Sequence, residues 1–169
     1  MAKRKSVQQT SAEVLFRAAE ILEEAGDLVG AFRCTLAAAE LDYAMGQLNL
    51  GNLYSSGAGT RKDLRRAAFW YRKAFRNGMV DGAFSLAIDY RKQGDIRSAT
   101  AWFKKAAGQN HGGAFIALAE IYAARPRKRN EAIDLLRRAL QLTANDLSEG
   151  ERERAEQVLN ELLGARRLH

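Results

Sequence analysis

The chain has 169 residues, 47% of them hydrophobic, with one proline, one cysteine and a formal net charge of +7. That length suits one domain with a substantial core, and a single cysteine excludes an internal disulfide. No apolar run approaches the roughly 18 residues that span a bilayer, and abundant Ala and Leu favour helix throughout.

Residues 1–10 read as a disordered basic tail carrying Lys3, Arg4 and Lys5. The stretch Ser6-Val7-Gln8-Gln9-Thr10-Ser11 is polar and supplies no apolar signal region, which points to a cytoplasmic location. Thr10 with Glu13 has the spacing of a capping box and opens a helix over 11–25. Gly26-Asp27 stops that helix and starts a second over 27–41, because glycine accepts the left-handed conformation and aspartate accepts from the next helix's free N–H groups. The same reasoning gives the pairs 43–55 with 64–77, 80–93 with 95–108 (through Gly94-Asp95), and 112–124 with 128–142. Ser148 with Glu151 opens a final helix over 148–163, whose Ala155, Val158, Leu159, Leu162 and Leu163 form one apolar face. It reads as a cap, and 164–169 as a second basic tail.

One spacing recurs down these pairs: Tyr54 with Ala67, Trp70 and Ala74; Tyr90 with Ala99, Trp102 and Ala106; Tyr122 with Ala132, Leu135 and Ala139. Units repeating every 32 to 36 residues predict a solenoid, in which each unit buries its apolar face on its neighbours. Gly51, Ala87 and Ala119, three residues before each tyrosine, let paired helices approach closely, and Tyr71, Phe103 and Leu136 fill the remaining space. Trp70 and Trp102 are assigned to the core, and so is Cys34, which stands at their position in the first pair. Gly57 and Gly59 are expected at positive φ in the long turn after Tyr54.

Residues 44–82 resemble a Sel-one-like repeat, a relative of the tetratricopeptide repeat. The resemblance rests on Gly46, Leu50-Gly51, Tyr54, Gly57-Ala58-Gly59, Lys62-Asp63, Ala67, Trp70-Tyr71-Arg72-Lys73-Ala74 and Gly78. Residues 82–111 keep Ala99, Trp102-Phe103-Lys104-Lys105-Ala106-Ala107, and the pairs 12–41 and 112–142 are weaker matches. The resemblance implies an all-α, right-handed α/α solenoid of four antiparallel helix pairs plus a C-terminal capping helix, serving as an adaptor for other proteins. It implies no catalytic residues.

If first helices line a concave groove, Phe16, Leu48, Phe84 and Ile116, at or equivalent to six residues before each tyrosine, form an exposed apolar stripe for a partner helix or extended segment. The competing reading is that these side chains bury against one another. Asn52, Ile88, Arg91, Lys92 and Glu120 flank the stripe. Charge varies along the chain: residues 11–43 hold seven acids against two bases, and residues 44–111 hold twelve bases against four acids. A partner with basic residues at one end and acidic residues at the other fits that pattern.

The favoured function is therefore a non-enzymatic module that binds a partner protein or peptide. A bacterial immunity protein or dedicated chaperone, neutralising one toxin or effector, is the second reading. Nucleic-acid or membrane-surface binding through the basic second helices is the third, and it is set aside because no exposed aromatic is expected among the basic residues to stack bases. Arg125-Pro126-Arg127-Lys128-Arg129 reads as a polar loop with a proline stop. Catalysis has little support, since His111 lies at a turn, His169 at the terminus, and Cys34 has no neighbouring base. No cofactor and no metal are expected. The terminal helices leave both a monomer and a dimer open.

Overall fold

The computed structural model describes residues 2–143 and 147–164, with side chains from Gln8 onward. The described residues form nine α-helices and one short 3-10 turn, with no strand among them. They divide into two compact units, residues 1–89 and 90–169, which are taken in turn.

In the first unit, α1 (Ala2–Glu24) packs against α2 (Leu28–Glu40), and α3 (Ala44–Ser56) against α4 (Leu64–Arg76); α5 (Val80–Lys92) begins in this unit. The α1 helix starts at Ala2, so Thr10 lies inside it and not at its cap. Nothing between Ala2 and Ala25 is a glycine or proline, and Lys, Arg and Gln are good helix formers, so helix continues through the segment expected as a tail. The other signals act as expected. Asp27 accepts from the Gly30 N–H, and Asp63 from those of Arg65 and Arg66. Gly26, Gly57 and Gly59 all have positive φ. At Gly59 a Cβ would collide with the Leu28 carbonyl oxygen, so the long turn lies against α2.

The second unit contains α6 (Ile96–Ala107), α7 (Gly112–Ala123), the turn Pro126–Lys128, α8 (Arg129–Leu140) and α9 (Glu149–Gly164). Asp95 caps α6 through the Ser98 N–H. Ser148 and Glu151 form the reciprocal box at the start of α9. The basic run at 125–129 is the 3-10 turn with the start of α8. Within it, Lys128 pairs with Glu131 at 2.7 Å and lies over the Tyr122 ring. Arg152 donates to the Leu140 and Leu142 carbonyls, satisfying groups that the end of α8 leaves open. The expected tail beyond Gly164 lies outside the described residues.

Both cores follow one rule. Leu50, Leu86 and Leu118 are buried, as are Ala74, Ala106 and Ala139. The deepest large residues on the second helices are Tyr71, Phe103 and Leu136, with Thr35 at the same place in the first pair. Trp70, Trp102 and Cys34, expected in the core, are only half-buried, and so is Leu135. They stand one residue earlier, about 100° round the helix, at the rim of the packed face. Each tryptophan ring is covered from above by a lysine three residues on: Lys73 at 5.4 Å from the Trp70 ring centre and Lys105 at 3.7 Å from that of Trp102.

The α3 and α4 helices approach closely at Gly51, where a Cβ would stand 2.5 Å from the Tyr71 ring. Gly51→Val is expected to destabilise by about 1–3 kcal/mol through overpacking. Gly150→Ala in α9, where nothing lies within 4 Å, is expected to stabilise by about 0.4–1 kcal/mol. Urea midpoints of the two variants measure these opposite signs.

Candidate functional site

The nine residues assigned to a binding surface fall into two groups, one in each unit. In the first unit Phe16 and Leu48 are buried, 8% and 9% exposed, and the Phe16 ring lies 5.5 Å from that of Tyr43. Ile116 in the second unit is 5% exposed. Three of the four positions expected as an exposed stripe are thus covered by neighbouring side chains. Phe84 alone of the four is half-exposed, and Ile88 is half-exposed one turn further along α5.

Beside Phe84 and Ile88 in sequence, Asp89 is a buried carboxylate that accepts from the Ser55 hydroxyl of α3 at 2.9 Å. Tyr71 donates its hydroxyl to the side-chain oxygen of exposed Asn52, also at 2.9 Å. Burial, and then the Asp89 carboxylate, push the Tyr71 phenol well above the usual tyrosine range, while Ser55 opposes the shift. The expected position Asn52 therefore belongs, with Ser55, to one polar cluster joining α3, α4 and α5, and is turned to water.

In the second unit Arg91 and Glu120 meet, Arg91 Nη1 standing 3.3 Å from Glu120 Oε2. The other oxygen of Glu120 accepts from Arg154 Nε of α9 at 3.0 Å. The pairing spans 34 residues and leaves no local periodic trace that could have found it. Lys92 is exposed.

Clefts also lie elsewhere. One of about 390 Å³ has Phe115, Leu118 and Tyr122 as its floor and Lys104, Glu131 and Arg138 at its rim, all in the second unit. Another of about 570 Å³, in the first unit, is lined by Leu41, Asp42, Met45, Asn77 and Met79 among others. There Asp42, at φ 67°, accepts from Gln47 at 2.8 Å and Asn77 at 3.1 Å and pairs with Lys73 at 3.1 Å. The Lys73 bond foremost holds its carboxyl below the usual range.

His111 caps α7, its Nδ1 accepting from the Ala114 N–H at 3.3 Å. Among the described residues, no helix is long and apolar enough to cross a membrane.

These helical hairpins are of a known kind. Residues 44–79 and 84–111 match the family model of the Sel1 repeat, and the chain carries Sel1 repeats there. Among solved structures it is similar to a Sel1 repeat protein from Oxalobacter formigenes, with 23% identity and a TM-score of 0.71 over 89% of this chain and 62% of that one. It is also similar to c5321, a protective antigen present in uropathogenic Escherichia coli strains displaying an SLR fold, with 17% identity and a TM-score of 0.68 over 94% of this chain and 39% of that one. A third is YrrB, a TPR protein with an unusual peptide-binding site, with 19% identity and a TM-score of 0.56 over 92% of this chain and 86% of that one. At these identities the likeness is one of fold: all-α, of the Sel1 and TPR-like solenoid class. The chain spans 62% and 39% of the length of the first two. No curated protein matches it.

The raised Tyr71 phenol has a consequence for pH. The unfolded chain loses that proton near pH 10 and the folded one later, so the folded state binds more protons above pH 10. Stability from this group is complete below about pH 10 and falls as pH rises beyond it. An ultraviolet titration of the wild type, compared with that of Tyr71→Phe, should show that the Tyr71 phenol ionises late. Tyr71→Phe should remove the late fraction and cost about 1 kcal/mol at neutral pH for the lost hydrogen bond. Ionisation of Tyr71 near pH 10 in the folded protein would contradict the assignment.

Proposed function

We propose that the chain is a non-enzymatic module that binds a partner protein or peptide on its first-helix surface, with Phe84 and Ile88 as apolar contacts and Asn52 as the polar one. The observation that carries this is the pair Phe84 and Ile88, which stay half-exposed at i, i+4 spacing on α5 while Phe16, Leu48 and Ile116, the equivalents of Phe84, are buried. Two apolar side chains one turn apart, beside an exposed amide, suit the spaced anchors of a docked helix or extended segment. The Sel1 repeats support the reading, since folds of this class commonly mediate protein–protein contact.

Within the second unit, Arg91, Lys92 and Glu120 extend the reading as a charged contact. Glu120 already holds Arg91 and Arg154, so a partner carboxylate there would compete with Glu120 for the two guanidinium groups. Such a contact favours specificity and rate of encounter over raw affinity. Phe16 and Leu48 in the first unit, and Ile116 in the second, are buried in their own units and touch no partner in this reading.

The test is capture from host lysate by the wild type and by Phe84→Glu, followed by titration of the purified, identified partner. Phe84→Glu is expected to weaken binding at least a hundredfold, about 2.7 kcal/mol, while its urea midpoint stays near that of the wild type. Equal affinity in the two proteins would refute the surface, and a collapsed midpoint would make Phe84 a core residue. Nanomolar one-to-one binding would narrow the function to an immunity protein or dedicated chaperone, and micromolar binding of several peptides to a general adaptor.

A further inference from the structure

The outer faces of α1 and α4, both in the first unit, have no place in the surface proposed above. On α4, Arg65, Phe69, Arg72 and Arg76 are all exposed and stand at i, i+4, i+7 and i+11, one row along the helix. Phe69 is 52% exposed at the centre of that row, its ring edge-on to Trp70 at 5.1 Å. The helix contains no acidic residue. An exposed phenylalanine among arginines also removes the ground on which an aromatic was excluded from the basic second helices.

On α1 the arrangement has the opposite sign. Val14 and Ile21 are 61% and 66% exposed, the two most exposed large apolar residues among the described residues. Glu20, Glu23 and Glu24 are exposed beside them and Glu13 is half-exposed, with Arg17 the one base between Ser11 and Glu24. Glu13 to Glu24 and Arg65 to Arg76 each cover three turns, roughly 16 Å. The two faces therefore match in length and in carrying exposed apolar side chains, Phe69 on one and Val14 and Ile21 about Arg17 on the other, and they are opposite in net charge.

We propose that α1 of one copy docks on α4 of a second copy, apolar on apolar, with the glutamates of the first meeting the arginines of the second. Nucleic acid or an anionic membrane would account for the arginines but leave the acidic, apolar face of α1 without a use; a second copy accounts for both. The two surfaces differ, so the contact is head-to-tail and propagates unless its rotation closes a ring. One helix face on another makes a small interface, so the association is weak and depends on concentration. Exposed charges carry much of it, so salt weakens it.

Sedimentation velocity of the full chain tests this. At low salt the weight-average coefficient should rise with concentration into the high micromolar range, and moderate salt should reverse the rise. Glu20→Arg with Glu24→Arg, and separately Arg65→Glu with Arg76→Glu, should each be monomeric, with affinity lowered at least tenfold. All four positions are exposed, and unchanged thermal midpoints would show that both variants fold.

Mixed one to one, the two variants should associate again, because the intact α1 face of one meets the intact α4 face of the other and the two charge-reversed faces are complementary in turn. Phe84→Glu should associate as the wild type does, which separates this contact from the partner-binding surface. A wild type monomeric at all concentrations, variants that associate like the wild type, or a mixture that stays monomeric would each overturn the proposal. It would also fall if the wild type were monomeric and the arginine variant had instead lost retention on single-stranded DNA or on anionic vesicles.

Discussion

Gly51 has no side chain, and the Tyr71 ring occupies the space where one would stand. On the other side of the same residue, a Cβ at Gly82 would lie 2.5 Å from the Tyr71 carbonyl oxygen. Tyr71 is thus held between two glycines, one on α3 and one on α5, and its helix approaches both neighbours as closely as backbone permits. The gain is contact area for a large aromatic, which dominates burial energetics when fully enclosed. The phenol must then find a polar partner inside, and Asn52 provides it. The same packing sets Ser55 against Asp89 and so fixes how α5 presents Phe84 and Ile88.

Helix boundaries were legible because their signals are local. Each Gly-Asp pair, the Asp63 cap and the Ser148 box act over three or four residues, and the structure uses them as the spacing predicts. The start of α1 was not legible for the converse reason: a capping box is also compatible with helix running through it, and no breaker precedes Thr10. Periodicity identified which positions recur but not which lie deepest. Tryptophan recurs most visibly, yet the adjacent Tyr71 and Phe103 fill the core, because two neighbouring residues on a helix are separated by about 100° and only one faces the partner squarely.

The binding surface was legible in part for the same reason. The position six before each repeated tyrosine is a real structural position, but its exposure depends on what the neighbouring helix places over it. Tyr43 stands against Phe16, whereas Phe84 keeps part of its surface in water. Long-range charge pairing was invisible in the sequence. Glu120 looks like a free groove acid until Arg91 and Arg154 are seen on its two oxygens. The charge gradient had the opposite fate: an acidic start and a basic middle, read only as average composition, resolve in the first unit into two defined helix faces of opposite sign.

Two kinds of surface therefore coexist on one set of hairpins, a first-helix surface built over the Tyr71 cluster and the outer faces of α1 and α4. The central claim is that the first of these meets the partner. Hydrogen–deuterium exchange of the chain with and without its purified partner tests it most directly. The account predicts that protection appears on α3 and α5, around Asn52, Phe84 and Ile88, with α4 unchanged; protection confined to α4 or α6, with α3 and α5 exchanging as before, would contradict it.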